Sequence, residues 1–319
     1  MPKGLPPDPA AYALEDGTVV VKVLRELIFY VPRIEVETHD ALIRLYQGYL
    51  PKGRDRFFQI PELTSWSPVA DPRLTESARA QRGRPLAELE AVRRRIAERR
   101  WFFSRLWDGR KIDDPTGSFS LDIQRRRLED GTWAGYVRVL LPADTSDTMQ
   151  LSLALEMLDT VPVISGHGGF CFTYVPERKS SAFDRIFAMA RRYAGVDIED
   201  LPVTLPHMGS RVKPACWLNV IGRAGGFDAS LWRRMHAIGN LDDATATERH
   251  HGVLLQLSET PPIFDLNHGD LPTAPYRAFD EATAAIRLAA IGTFSGPRFG
   301  ADPDATEAWL ARFASPEVL

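Results

Sequence analysis

The chain has 319 residues, of which 44% are hydrophobic, 25% charged and 10% aromatic. That is enough apolar content for a sizeable core, and too even a composition for a disordered, fibrous or coiled-coil protein. The net charge of −3 hides an uneven distribution: Arg82 to Arg127 carries 13 basic and 7 acidic residues, and the remainder carries 26 and 35. Regions of opposite sign can orient a partner during encounter, while an acidic remainder argues against a large phosphate-binding footprint.

Residues 1–17 read as a flexible lead, broken by Pro2, Pro6 and Pro7, without the apolar run of a secretory signal. Val19 to Val31 is interrupted by Lys22, Arg25 and Glu26 and cannot cross a bilayer, so the expected location is the cytoplasm, away from membranes. That stretch reads instead as a strand, broken or bent near Arg25-Glu26 and ended by Pro32. Thr38 is a helix cap, followed by Leu42, Leu45, Tyr46 and Tyr49 on one face, with Pro51 and Gly53 closing the helix.

Phe57 to Pro85 is irregular and rich in proline. The spacing then predicts a single helix over Leu86–Trp107, with a stripe of Leu89, Val92, Ile96, Phe103 and Leu106, and arginine stems over the remaining surface. Phe119 to Ile123 and Trp133 to Leu141 alternate as strands, joined by a hairpin at Glu129-Asp130-Gly131. Ser146 caps a helix whose Leu151, Ala154, Leu155 and Leu158 share a face, and Phe170 to Val175 is the next strand. The order strand, helix, strand, strand, helix, strand is that of a split βαβ unit with an inserted basic helix.

In the second half, Ser181 to Asp184 forms a capping box before a stripe of Phe183, Ile186, Phe187 and Ala190. Strands are predicted at Ala215–Ile221 and Gly252–Ser258, with helices at Leu231–Ala237, Phe279–Ile291 and Ala305–Phe313. The expected fold class is α+β: a mostly antiparallel or mixed twisted sheet packed by helices, in two intimately associated halves. The halves, 18–176 and 177–292, make one compact domain, and residues 293–319 are a C-terminal extension.

Chemistry is sparse. Cys171 and Cys216 sit in apolar runs and lack zinc or redox spacing. His250, His251, Asp265, His268 and Asp270 are the best improvised metal group, although capping and loop hydrogen bonds account for such residues, so no cofactor is expected. Ser165-Gly166-His167-Gly168-Gly169 suits a tight turn entering a buried strand, as framework or as a binding turn. A hydrolase would have to use His167 there, yet the chain has no Gly-x-Ser-x-Gly elbow, P-loop or dinucleotide fingerprint. A protein-binding surface is expected at Arg93, Arg99, Arg100, Trp101 and Trp107, with Arg125 and Arg127, because arginine and tryptophan favour interface centres. No base-reading module accompanies those arginines, so direct nucleic-acid binding is not expected.

Six blocks of the sequence resemble the TsiV-like immunity proteins of type VI secretion. They are Ile28-Phe29-Tyr30-Val31-Pro32, Val163 to Phe170, Ala194 to Ile198, Met208 to Lys213 running into Cys216-Trp217-Leu218, Gly252 to Leu257, and Asp265 to Pro272. They stand in order over residues 20 to 292; the arginine-rich segment and Phe57–Pro85 match no block. The resemblance implies a non-catalytic inhibitor that binds a cognate toxic effector, with nucleases prominent among such targets. It brings no catalytic residues. A structural or adaptor protein is the other non-enzymatic reading.

Overall fold

A computed structural model describes residues 11–13, 19–49, 57–59, 85–107, 119–128, 131–174, 178–302 and 304–314. The first half runs through β1 (Ala11–Ala13), β2 (Val19–Val31), α1 (Val36–Tyr49), β3 (Phe57–Gln59), α2 (Pro85–Ala97), β4 (Phe102–Trp107), β5 (Ser120–Arg127), β6 (Trp133–Leu141), α3 (Asp147–Thr160) and β7 (Ser165–Tyr174). The second runs through α4 (Lys179–Ala190), β8 (Val196–Ile198), α5 (Leu201–Met208), β9 (Leu218–Gly222), α6 (Ala229–Ile238), β10 (Thr245–Arg249), β11 (Gly252–Gln256), α7 (Ala274–Thr283), α8 (Pro297–Ala301) and α9 (Ala305–Leu310).

Among the described residues the strands form one sheet in the order β10-β11-β9-β7-β2-β6-β5-β4-β3. β1 is added beside β2, and β8 beside β7; the β7–β8 pairing is parallel and the others are antiparallel. The central run β7-β2-β6-β5 is the split βαβ arrangement expected from the order of elements. The basic segment extends the sheet past β5, and the second half extends it past β7.

β2 is continuous and is not broken at Arg25-Glu26. Its apolar residues are buried on both faces, and successive side chains alternate, so the two charges emerge on opposite sides. Arg25 lies 2.6 Å from Asp147 and 3.1 Å from Gln150, both on α3. Glu26 pairs with Arg138 of β6. Each charge keeps a partner, so neither forces a bend.

One core joins Leu27, Phe29, Val31, Ile123, Val137 and Val139 to α1, α2 and α3. On the other side, Ile28, Tyr30 and Phe172 pack under α4, α5, α8 and α9. Ile221, Val253 and Leu255 meet α6, α7 and Phe313 in a third cluster. Ser146 caps α3 as expected, accepting from Met149 N at 3.2 Å, but the buried stripe is Gln150, Leu153, Ala154, Met157 and Leu158.

The long basic helix is a helix followed by a strand. α2 stops at Ala97, where Arg99 N donates to Ile96 O and Arg100 N to Arg95 O, with Arg99 at φ 55°. This is a Schellman ending whose left-handed position holds arginine where glycine is usual. Phe102-Phe103-Ser104-Arg105-Leu106 then alternates across β4. α1 begins two residues before Thr38, and α4 begins at Lys179, which places Ser181 inside the helix; Asp184 accepts from Arg298 N instead of closing a capping box. α7 ends at Thr283, short of Ile291, because the following segment bonds to Val212 through Ile286 O and Leu288 N. β8, α5 and β10 are additional elements. The prolines of α5, Pro202 and Pro206, hide it from periodicity, and β3 interrupts the stretch read as irregular. The expected closing residues Pro51 and Gly53, the hairpin residues Glu129 and Asp130, and Val175 lie outside the described residues, as do most of residues 1–17 and Phe57–Pro85. No helix among the described residues is long and apolar enough to cross a membrane.

Candidate functional site

The glycine-rich histidine segment is not a turn. It is the first half of β7, where His167 stands opposite Ile28 of β2 and Asn219 of β9. A Cβ at Gly168 would lie 2.5 Å from Leu27 Cδ2 and 2.9 Å from Glu26 O, so glycine is what lets the two strands approach.

His167 is 3% exposed and looks into a cluster of charges. Its Nε2 is 3.1 Å from Asp197 Oδ2, 3.5 Å from Glu199 Oε2 and 3.9 Å from Glu26 Oε2, although none lies along a hydrogen-bonding direction of the ring. Lys213, from the connection between α5 and β9, donates to Asp197 at 2.8 Å, to Ile198 O at 2.8 Å and to Glu199 at 3.1 Å. Tyr30 donates to Glu199 at 3.2 Å and its ring stacks on His167. Arg138 holds Glu26, and Arg312 stands 3.9 Å from Asp197 while donating to Ala194 O. On the same face of the sheet Asp122 takes both ends of the Arg105 fork, at 2.6 and 2.7 Å. Glu26, Arg138 and Asp122 thereby link β2 to β5 through charges on adjacent strands.

Burial alone would raise the Glu199 pKa, but Lys213 and His167 overcome it and hold the group at about 2; the same partners depress Asp197. Burial would lower the Lys213 and His167 pKa values, and the carboxylates outweigh it in both, keeping each above its usual value. Glu26 is raised, chiefly by burial.

Glu26, His167, Asp197 and Glu199 place one ligand atom each within 4.8 Å of one another, the kind of donor set a divalent cation takes. Here the three carboxylates already face three fixed cations, Lys213, Arg138 and Arg312. A divalent ion would add two uncompensated charges to a site closed to water, so the donor set does not fit one. The cluster acts as a structural ion network tying β2, β6, β7, β8 and the Lys213 connection together. With His167 sealed inside it, the hydrolase reading has no reachable general base.

The other histidine group does not assemble as a metal site among the described residues. His250 and His251 contact each other, whereas Asp265 is clamped by Arg192 at 2.7 Å, accepts from Asn267 N, and lies 3.7 Å from His268. Asp270 accepts from Asp265 N. These are the loop-building bonds that such residues form.

A second constellation was not visible in the sequence. His39 Nε2 is 3.1 Å from Ser104 Oγ and its Nδ1 is 3.4 Å from Asp40, in the order of a nucleophilic triad. Both Ser104 and His39 are buried between α1 and β4, and Arg93 binds Asp40 at 2.8 Å. Burial is the first cause of the lowered His39 pKa. No substrate could reach this serine; the array is a polar tie between helix and strand.

The expected protein-binding residues divide. Val31, Gly135, Arg125 and Phe102 lie side by side across β2, β6, β5 and β4. The residues just beyond that row therefore meet at one end of the sheet: Arg99, Arg100 and Trp101 entering β4, Arg126 and Arg127 leaving β5, and Trp133 entering β6. Arg125 lies over the Trp133 ring at 4.3 Å, and Arg127 donates to Gly131 O. Arg93 is drawn onto α1 through Asp40 and also pairs with Glu90. Trp107 stands at the opposite end of β4, and its side chain lies outside the described residues.

The fold is of the α+β class, and the histidines of both polar clusters are buried. A family model described as "TsiV: Type VI immunity for VRR-NUC" matches residues 78–313, and the chain belongs to that family. The match includes the arginine-rich segment that the sequence blocks leave out. The chain is a non-enzymatic immunity protein of type VI secretion whose partner is a nuclease-type effector. Its fold is similar to that of the Pseudomonas aeruginosa type VI secretion protein PA0821, with a TM-score of 0.70, 18% identity, and coverage of 97% of this chain and 88% of that one. Among curated proteins no sequence matches significantly.

Proposed function

We propose that the chain neutralises its effector in the cytoplasm by stoichiometric occupancy, through the basic end of the sheet that carries Arg99, Arg100, Trp101, Arg125 and Arg127. Arg93, tied to Asp40 on α1, and Trp107, at the opposite end of β4, are left outside this surface. The observation that carries the reading is the alignment of Val31, Gly135, Arg125 and Phe102, which gathers residues from distant parts of the sequence at one end. Arginine forks and tryptophan faces are common interface anchors. We take 18–292 as the domain that presents this surface and 293–319 as an extension, whose Trp309 and Phe313 pack in the cores described above.

Co-expression with the cognate effector, scoring survival and co-purification, tests this reading. Wild type should rescue and co-purify; complex formation without rescue would instead indicate an adaptor. Charge reversal at Arg99 and Arg100 should weaken the complex about tenfold or more, on the scale of interface anchors, with the fold intact. An unchanged affinity at low salt would move the interface elsewhere, because screening is least there.

A further inference from the structure

We propose that Arg33, Arg99 and Arg125, set against the Trp133 ring, form a receptor for a carboxylate side chain on the effector. This rests on the immunity reading and narrows the basic end of the sheet to one pocket.

The pocket follows from strand pairing. Arg125 sits between Phe102 of β4 and Gly135 of β6, and Gly135 is paired in turn with Val31. Two residues past Val31 the chain reaches Arg33; three before Phe102 is Arg99; two before Gly135 is Trp133. The backbone at Arg99 is fixed by the left-handed end of α2.

The guanidinium of Arg125 is 4.3 Å from the centroid of Trp133. A guanidinium over an aromatic face keeps its N–H donors in their own plane, where they remain free for a planar acceptor. Its Nε is buried and has no hydrogen-bond partner, so no protein acceptor already occupies that edge of the fork. Around it, Arg33 pairs with Glu35 at 2.9 Å, and Arg99 makes no ion pair among the described residues. Three guanidinium groups and one carboxylate thus share this end of the sheet. Burial lowers the Arg125 pKa, and its neighbours Arg99 and Arg33 lower it further against the opposing pull of Glu35. An incoming anion would relieve this repulsion.

A carboxylate fits better than a nucleic-acid backbone. One stacked fork gives two parallel donors, the match for a single carboxylate. A phosphate backbone needs a continuous basic track, and here Glu35 and Glu98 interrupt the surroundings.

The test uses the full chain and the effector it neutralises, with affinity measured by calorimetry at low and high salt for wild type, Arg125→Ala, Arg125→Lys and Arg33→Ala/Arg99→Ala. Urea unfolding of each variant checks the fold. The expected result is a loss of about tenfold or more for Arg125→Ala, as for an interface anchor, with a flatter salt dependence. Arg125→Lys should recover only part, since it keeps the charge and loses the fork. Equal binding by folded Arg125→Ala and by the double variant overturns the receptor and leaves the immunity reading standing. Absence of any complex with wild type defeats that reading itself. A short DNA duplex that competes with the effector on wild type but not on Arg125→Ala also overturns the proposal, by making the pocket a phosphate site.

Discussion

Lys213 Nζ stands 2.8 Å from Asp197 Oδ2, and both side chains are almost wholly shielded from water. The ammonium also reaches Glu199 and the Ile198 carbonyl, so its three donors are all used. Removing it would leave two buried carboxylates short of a counter-charge. Lys213→Met should cost about 3–5 kcal/mol of stability, the range for breaking a buried pair from one side. Urea unfolding measures this, and a loss below about 1 kcal/mol, the value of an ordinary exposed pair, would show that the cluster is not a structural network.

The same cluster sets the pH response of stability. Glu199 has a folded pKa of about 2 against an ordinary 4.5, so its contribution is present above 4.5 and is lost as pH falls toward 2. His167 is shifted the other way: its folded pKa is raised above 6.5, so its contribution is present below 6.5 and is lost as pH rises through the raised value. Stability measured across this range should therefore fall at both ends. His167→Gln should remove the neutral-to-alkaline decline and shrink the acid one without abolishing it, because Lys213 still holds Glu199 down. An alkaline decline equal to that of wild type would assign it to another group.

Strand approach at β7 predicts an asymmetry among glycines. Gly166→Ala would bring a Cβ to 2.7 Å from Ile28 O, and Gly168→Ala to 2.5 Å from Leu27 Cδ2. Each should cost about 1–3 kcal/mol, as overpacking does. Gly48, near the end of α1, has open space around its Cβ position, and Gly48→Ala should be neutral or stabilising by up to about 1 kcal/mol. Thermal unfolding of the three variants compares them directly; similar midpoints would contradict the close-approach account.

The Asp40–His39–Ser104 array predicts a stability effect without a catalytic one. Ser104→Ala removes the hydroxyl facing His39 and should cost about 1–2 kcal/mol, the penalty for an unmet buried polar group. Rescue from the effector should be unchanged. Lost rescue in a variant that remains folded would give this serine a functional role.

Local residue patterns were sufficient for the class of fold and the family. The strand alternation of Phe119–Ile123 and Trp133–Leu141, the Ser146 cap and the order of elements all survive in the structure because nearest-neighbour geometry dictates them. The helix drawn through Trp107 failed because Arg99 ends α2 in a left-handed conformation without the glycine that usually marks one. Period 3.6 also overlaps period 2 over a short apolar run, so Phe103 and Leu106 fitted both readings.

What the sequence by itself determined is which segments are apolar, where many strands and helices begin, and the family to which their blocks correspond. Only the tertiary structure decided that His167 belongs to a sealed ion network within a strand rather than to a tight turn leading into one. Its partners come from three separate segments, Glu26 from β2, Asp197 and Glu199 from β8 and the residue after it, and Lys213 from the connection to β9, and no spacing rule connects those segments. The same holds for Arg33, Arg99, Arg125 and Trp133, which strand pairing brings to one end of the sheet. The physical reason is common to both: burial and charge pairing depend on which strands become neighbours, and that is a property of the whole sheet rather than of any local run of residues.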